Sequence, residues 1–135
     1  MGLAERRAAE QFKNNDFPAW KARIDEAAGF DVAVDVRWDE LAADEYASSY
    51  PTFFPKVYFQ PMVDALAAIT IDDMGRDALR DGLKKVVVRN TEQYASSNGF
   101  AFEDGVLTID HRSYTNVDDG AERAKGLQKL LESGL

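Results

Sequence analysis

The feature that most constrains this chain is the stretch 100–111, whose sequence is FAFEDGVLTIDH. Apolar residues alternate with others on both sides of the pair Asp104-Gly105. A type I′ turn needs positive φ at both of its central residues, and Asp-Gly meets that need, so the stretch predicts a β-hairpin. A two-residue turn pairs Phe102 with Leu107, and Phe100 with Ile109. Turn chemistry and hydrophobic pattern therefore agree on one apolar face.

The only histidine of the chain, His111, lies at the open end of this hairpin. Extending the register places His111 on the apolar side and its neighbour Asp110 on the other side, so the two should not form an acid–base pair. A lone histidine at the rim of a core is usually a hydrogen-bonded structural residue. His111 is thus only a weak catalytic candidate, with Tyr114 and Asn116 as the side chains that would orient a substrate.

Two further strands and several helices are predicted along the rest of the chain. Strict alternation from Phe30 to Trp38 predicts a half-buried strand, and the run Val86–Val88 predicts a central one. Capping and periodicity predict the helices. They are expected at 3–14, at 17–28 with Asp16 as its cap and Gly29 as its stop, at 41–47, at 61–69, at 73–84 with Asp72 as its cap, and from Thr115 or Asn116 onward.

This order of elements predicts an α+β fold in a single globular domain, 1–135. The expected architecture is a small antiparallel sheet of about four strands, including the 100–109 hairpin, with helices packed on one face. The opposite face would carry charged side chains. If the first two strands are neighbours, Asp31 or Asp35 would lie across from Lys85 or Arg89.

Composition excludes several classes of function. The chain has 16 basic and 24 acidic residues, a net charge of −8, which disfavours nucleic acid as a partner. It has no cysteine and one histidine, and it lacks phosphate-binding glycine motifs, so no metal site and no cofactor is expected. No apolar run reaches the length of a membrane span, and no signal peptide is visible. A cytoplasmic protein is the natural expectation.

The charge is concentrated in one window that is followed by aromatic residues. Residues 25–45 contain eight acids and one base, a local charge of −7, and residues 46–59 contain six aromatic side chains. Acids beside aromatics are the composition expected of a surface that takes a basic protein. The alternative is that the aromatic segment closes the core. The partner-binding candidates are Asp31, Asp35, Asp39, Glu40, Asp44, Glu45, Tyr46, Tyr50, Phe53 and Phe54.

Three hypotheses for function follow from these patterns. The first is a non-enzymatic, intracellular binding module, such as an adaptor, an inhibitor or an immunity-type protein, that engages a basic partner. The second is a small-molecule-binding protein or enzyme with a site around His111. The third is a subunit that self-associates through a helix face. The sequence leaves open the partner, the ligand and the oligomeric state.

Overall fold

Four strands form one sheet in a computed structural model, which describes residues 2–135. Their order is β1-β2-β4-β3. The strands are β1 (Val34–Val36), β2 (Lys85–Arg89), β3 (Phe100–Glu103) and β4 (Val106–Asp110). The α+β class, the four strands and the hairpin are confirmed. The pairing differs from the expected antiparallel sheet, because β1 and β2 run parallel, as do β2 and β4, and only β3 and β4 run antiparallel.

The hairpin has the register that its sequence predicts. Phe102 pairs with Leu107, and Phe100 pairs with Ile109. Asp104 and Gly105 have φ of 53° and 80°, the two positive values of a type I′ turn. The turn chemistry and the hydrophobic pattern together were sufficient to predict this register.

The parallel pairs arise because helices separate the strands along the chain. A helical crossover from residue 37 to residue 84 joins β1 to β2, and such a connection returns the chain in the same direction. The three consecutive valines of β2 are all buried, as is typical of a central parallel strand. The first strand is shorter than the predicted 30–38, since only Val34–Val36 pairs and Trp38 already begins a helix.

The amino-terminal helices form one continuous helical run. Helices α1 (Leu3–Gln11) and α2 (Phe17–Ala28) are joined by a π-helical turn at Phe12–Asp16. The prediction that Asp16 caps a separate helix is therefore wrong, because its backbone is helical and its side chain accepts no capping hydrogen bond. The predicted stop is confirmed, with Gly29 in the left-handed conformation at φ 86°.

The aromatic segment is also helical. After α3 (Trp38–Leu41) and a 3-10 turn, helix α4 (Tyr50–Phe54), a π-helical turn (Pro55–Phe59) and α5 (Gln60–Ile69) follow without a break. The helix predicted at 61–69 thus extends back to Tyr50, and the one predicted at 41–47 ends at Leu41. Prolines fall near the starts of these successive helical segments, where a missing N–H removes few helical hydrogen bonds.

Two helices complete the fold. Helix α6 (Asp73–Gly82) begins as predicted, since the Asp72 carboxylate accepts a hydrogen bond of 2.8 Å from the Gly75 amide. Helix α7 (Gly120–Gly134) begins later than predicted. Asn116 does not cap it, because Asn116 has φ of 53° and donates from Nδ2 to the Ala95 carbonyl.

The helices pack on one face of the sheet. Val86, Val88, Leu107 and Ile109 point from that face into the hydrophobic core. The other face carries charged side chains, and the Nζ of Lys85 lies 3.7 Å from a carboxylate oxygen of Asp35. This cross-strand ion pair is one of those that the sequence allows. No helix of the described residues is both long and apolar enough to cross a membrane.

Replacing Gly75 with alanine is expected to destabilise the fold by about 2 kcal/mol. A Cβ at this position would lie 1.7 Å from the backbone oxygen of Ile69, so α6 would have to move. Gly126→Ala is the matched control, because its Cβ would meet only Ser97 Cβ at 3.7 Å. That change should stabilise α7 by about 0.5–1 kcal/mol. Urea unfolding measures the change in the free energy of unfolding for both variants. Equal changes in Gly75→Ala and Gly126→Ala would contradict the packing argument.

Candidate functional site

A polar cavity lies at the carboxyl end of the parallel strands. It has a volume of about 520 Å³. Each parallel strand contributes to it through the residues that follow: Glu40 after β1, Asn90 after β2, and Arg112 after β4. In sheets with parallel strands this edge is where ligands commonly bind. We call it the carboxyl-edge cavity. Its remaining lining residues include Asp44, Tyr46, Gln93 and Tyr114.

Glu40 and Asn90 are held together by reciprocal hydrogen bonds. The Glu40 carboxylate accepts from the Asn90 amide at 3.2 Å, and Asn90 Nδ2 donates to the Glu40 carbonyl at 3.4 Å. Asn90 is 8% exposed. Its Oδ1 is buried and has no hydrogen-bond donor among residues 2–135. A buried acceptor without a donor costs stability.

Two tyrosines form the less polar wall of the cavity. The rings of Tyr46 and Tyr114 stack with centroids 4.8 Å apart and planes 8° apart. The guanidinium carbon of Arg112 lies 5.6 Å from the Tyr114 ring, and Arg112 Nε donates to the Gln93 carbonyl at 2.9 Å. The fixed cation of the cavity is thus already engaged by this chain.

Backbone strain is found beside the carboxyl-edge cavity. Glu45 and Gln93 have φ of 71° and 56°, in the left-handed region that non-glycine residues rarely adopt. Glu45 lies between two residues of the cavity wall, and Gln93 lines it. Such strain persists only where the surrounding structure enforces it, and it is frequent at binding sites.

Only some of the predicted partner-binding residues lie at the carboxyl-edge cavity. Glu40, Asp44 and Tyr46 line the carboxyl-edge cavity, and Phe53 packs against Tyr46 with ring centroids 6.0 Å apart. The others lie elsewhere. Asp31 pairs with Lys21, Asp35 pairs with Arg37 and Lys85, Asp39 and Glu45 are exposed, and Tyr50 and Phe54 are fully buried in the core.

Three polar residues of this site were not among the predicted candidates: Asn90, Gln93 and Arg112. The sequence did carry a signal for two of them. Asn90 and Arg112 each follow closely on a strand, and the unbroken valine run of β2 is typical of a parallel strand. Parallel neighbouring strands have their carboxyl ends at one edge of the sheet. If β2 and β4 had been predicted to run parallel, Asn90 and Arg112 would have been expected close together.

His111 lies in a second, smaller cavity of about 200 Å³. Asn116 lines the same cavity, whereas Tyr114 lines the carboxyl-edge cavity. The predicted trio of His111, Tyr114 and Asn116 is therefore not assembled in one place. Asp110 is separate too, since its carboxylate accepts from Arg89 Nε at 3.2 Å on the other face of the sheet.

Burial is the main influence on the imidazole of His111, which is 0% exposed. Burial lowers its pKa from the ordinary value of 6.5, and the nearby cations of Arg123 and Arg112 lower it further. The carbonyl groups of Arg112 and Ala95 oppose this shift. His111 is therefore neutral in the folded protein near pH 7.

The shifted pKa predicts a pH-dependent stability. Below about pH 6.5 the unfolded chain binds more protons at His111 than the folded chain does, because the pKa is lower in the folded chain, so acidification favours unfolding. We expect the free energy of unfolding to fall as the pH drops below 6.5. Urea unfolding across this range measures the slope. His111→Asn should flatten it, and an unchanged slope in that variant would contradict the assignment.

Comparison with known proteins gives no relative from which to infer a role. No family model, no curated protein and no solved structure matches the chain. Within residues 2–135, no group of three or more acidic or histidine side chains could hold a metal ion. The geometry of the two cavities is therefore the basis for inferring function.

Proposed function

We propose that this protein is a cytoplasmic, non-enzymatic binding module that takes a basic side chain of a protein partner into the carboxyl-edge cavity. The observation that carries the proposal is a cavity lined by Glu40, Asp44 and Asn90, in which the Asn90 Oδ1 has no hydrogen-bond donor among residues 2–135. The N–H groups of lysine or arginine are the donors that such a set of acceptors recognises.

The charge of the cavity favours a cation. Two carboxylates, those of Glu40 and Asp44, line it against the single guanidinium of Arg112. Arg112 is stacked over Tyr114 and donates to a backbone carbonyl, which reduces its availability to an anion. An entering lysine or arginine would place its aliphatic stem along the tyrosine wall and its charged group near the carboxylates.

The surrounding surface supports the same kind of partner. Asp39 and Glu45 lie exposed beside the cavity, and Glu5 is close enough to accept a hydrogen bond of 3.4 Å from the Glu45 amide. A negative rim of this kind accelerates encounter with a basic surface and makes association sensitive to salt. Most of the aromatic segment has no part in the surface, since it fills the core.

The proposal is tested with capped tripeptides. Gly-Arg-Gly and Gly-Lys-Gly, titrated into ¹⁵N-labelled protein at low salt, should give saturable shifts of the Asn90 and Arg112 amides. Gly-Glu-Gly should give none. Asp44→Asn should weaken binding about fivefold, or roughly 1 kcal/mol, because it removes one carboxylate from the wall.

The control is Asp104→Asn, which makes the same charge change in the hairpin turn. This turn precedes β4, whereas the cavity lies at the other end of that strand. Asparagine tolerates the positive φ found at position 104, so the fold is retained. Its affinity for the basic peptides should equal that of the wild type. Equal weakening in both variants, or shifts that also occur with Gly-Glu-Gly, would overturn the proposal.

A further inference from the structure

Two large apolar side chains project from the turn between α5 and α6. Ile71 and Met74 are each 82% exposed, more than any other large apolar side chain among residues 2–135. Single exposed apolar residues are common on protein surfaces, but two of them on one turn form a patch. We call residues 71–74 the apolar turn.

Hydrogen bonds fix the backbone of the apolar turn. The Thr70 hydroxyl donates to the Ala27 carbonyl at 2.7 Å, which holds the end of α5 against α2. Arg76 Nη1 donates to the Thr70 carbonyl at 3.0 Å, and the Asp72 carboxylate caps α6. Since the turn is tied to the helices on both sides, its two apolar side chains are presented by a backbone that needs little ordering on binding.

A groove between α2 and α5 lies directly beside the apolar turn, and we call it the α2–α5 groove. It has a volume of about 410 Å³. Its lining residues are Arg23, Glu26, Ala27, Val63, Ala67 and Thr70. Three of these side chains are short and apolar, and Thr70 directly precedes Ile71, so the groove and the turn belong to one face. A cavity of about 150 Å³ is already large enough for benzene, so the groove has room for an isoleucine side chain.

The shape and the charges of this face suit a second copy of the same chain. When a two-fold axis passes between a protruding turn and a groove, the turn of each copy enters the groove of the other. Exposed Asp73 and Arg76 lie at the turn, and exposed Arg23 and Glu26 lie at the groove. A second copy therefore offers each of these charges an opposite one, which a partner of uniform charge does not. An anionic lipid surface would repel a chain of net charge −8.

We propose that the protein forms a weak two-fold dimer in which Ile71 and Met74 of each copy pack into the α2–α5 groove of the other. One turn and one groove from each copy make a small interface, of the transient class below about 1,200 Å². Apolar burial on this scale exceeds the loss of translational freedom only slightly, so we expect a Kd of about 0.1–1 mM. The α2–α5 groove shares no lining residue with the carboxyl-edge cavity, so the dimer and the proposed function can be tested separately.

Sedimentation equilibrium of the full chain from about 20 μM to about 2 mM, a range that spans this Kd, tests the proposal. The apparent mass should rise with concentration from 15.0 kDa toward twice that value. The double substitution Ile71→Thr and Met74→Gln should weaken association at least about tenfold, because it removes the apolar contact. Ala67→Gln should also weaken it, because the longer side chain occupies the groove. All three positions are exposed, so the fold should tolerate these changes.

Leu3→Gln is the matched control, because it removes an exposed apolar side chain from α1, and this variant should associate as the wild type does. A monomer mass at every concentration, or association that persists in the double variant or in Ala67→Gln, would overturn the proposal. So would equal weakening by Leu3→Gln, which would indicate non-specific association. Phosphatidylcholine vesicles provide a last test. If they sediment with the wild type but not with the double variant, the apolar turn enters lipid and the proposal is wrong.

Discussion

Replacing Phe59 with alanine should cost about 3–5 kcal/mol, the largest effect expected of any single change discussed for this protein. Phe59 is 0% exposed. Its ring lies 5.2 Å from Phe17, 5.9 Å from Phe12 and 6.2 Å from Trp38, measured between centroids. Alanine would open a cavity between the amino-terminal helical run and the segment that joins α4 to α5.

The measurement is urea unfolding followed by tryptophan fluorescence. Both tryptophans report on this cluster, since Trp20 and Trp38 lie 6.5 Å and 6.2 Å from the Phe59 ring. Phe59→Leu retains most of the volume and should cost less than about 1.5 kcal/mol. If leucine and alanine cost the same, or if alanine costs less than 1.5 kcal/mol, the ring is not the packing centre that its contacts indicate.

Replacing Arg123 with methionine should cost about 3 kcal/mol, the second-largest effect. Arg123 is 4% exposed, although it carries a charge. Its guanidinium donates to the carbonyls of Val57 at 3.1 Å, Lys56 at 3.1 Å and Val117 at 3.0 Å, and to that of Asn116. Methionine has a similar length but no donor, so the loss reports on these hydrogen bonds.

Two further variants isolate the role of the guanidinium. Arg123→Lys keeps the charge but not the planar fork of donors, so it should recover only part of the lost stability. Lys125→Met makes the same charge change at an exposed position of α7 and should stay within about 0.5 kcal/mol of the wild type. Full recovery with lysine would show that charge alone, and not the set of carbonyl contacts, holds the start of α7.

Local patterns predicted those parts of the fold that local chemistry controls. The Asp104-Gly105 turn placed β3 and β4 in register, Asp72 capped α6, and Gly29 ended α2, because each depends on the conformational freedom or the hydrogen bonds of neighbouring residues. Asp16 and Asn116 have equally good capping residue types, yet neither caps a helix. Their backbones are set by packing, in a continuous helix and in a left-handed turn respectively.

The candidate site was predicted only in outline. The acidic and aromatic composition pointed to Glu40, Asp44 and Tyr46, which do line a cavity. It also pointed to Tyr50 and Phe54, which are core residues, because composition cannot distinguish an aromatic ring that packs inward from one that faces solvent. Asn90 carries no compositional signal, and its unsatisfied oxygen is visible only in three dimensions.

The sequence by itself determined the class of fold, the hairpin register and the separation of Asp110 from His111, since alternation along a strand decides which face each side chain takes. Only the tertiary structure decided that β1, β2 and β4 run parallel and so bring Glu40, Asn90 and Arg112 to one edge. The valine run of β2 is typical of a parallel strand, but strand direction is decided by how a long helical crossover packs over the sheet, which is a non-local property. The same packing buried His111 completely, and its Nε2 has no hydrogen-bond partner among residues 2–135.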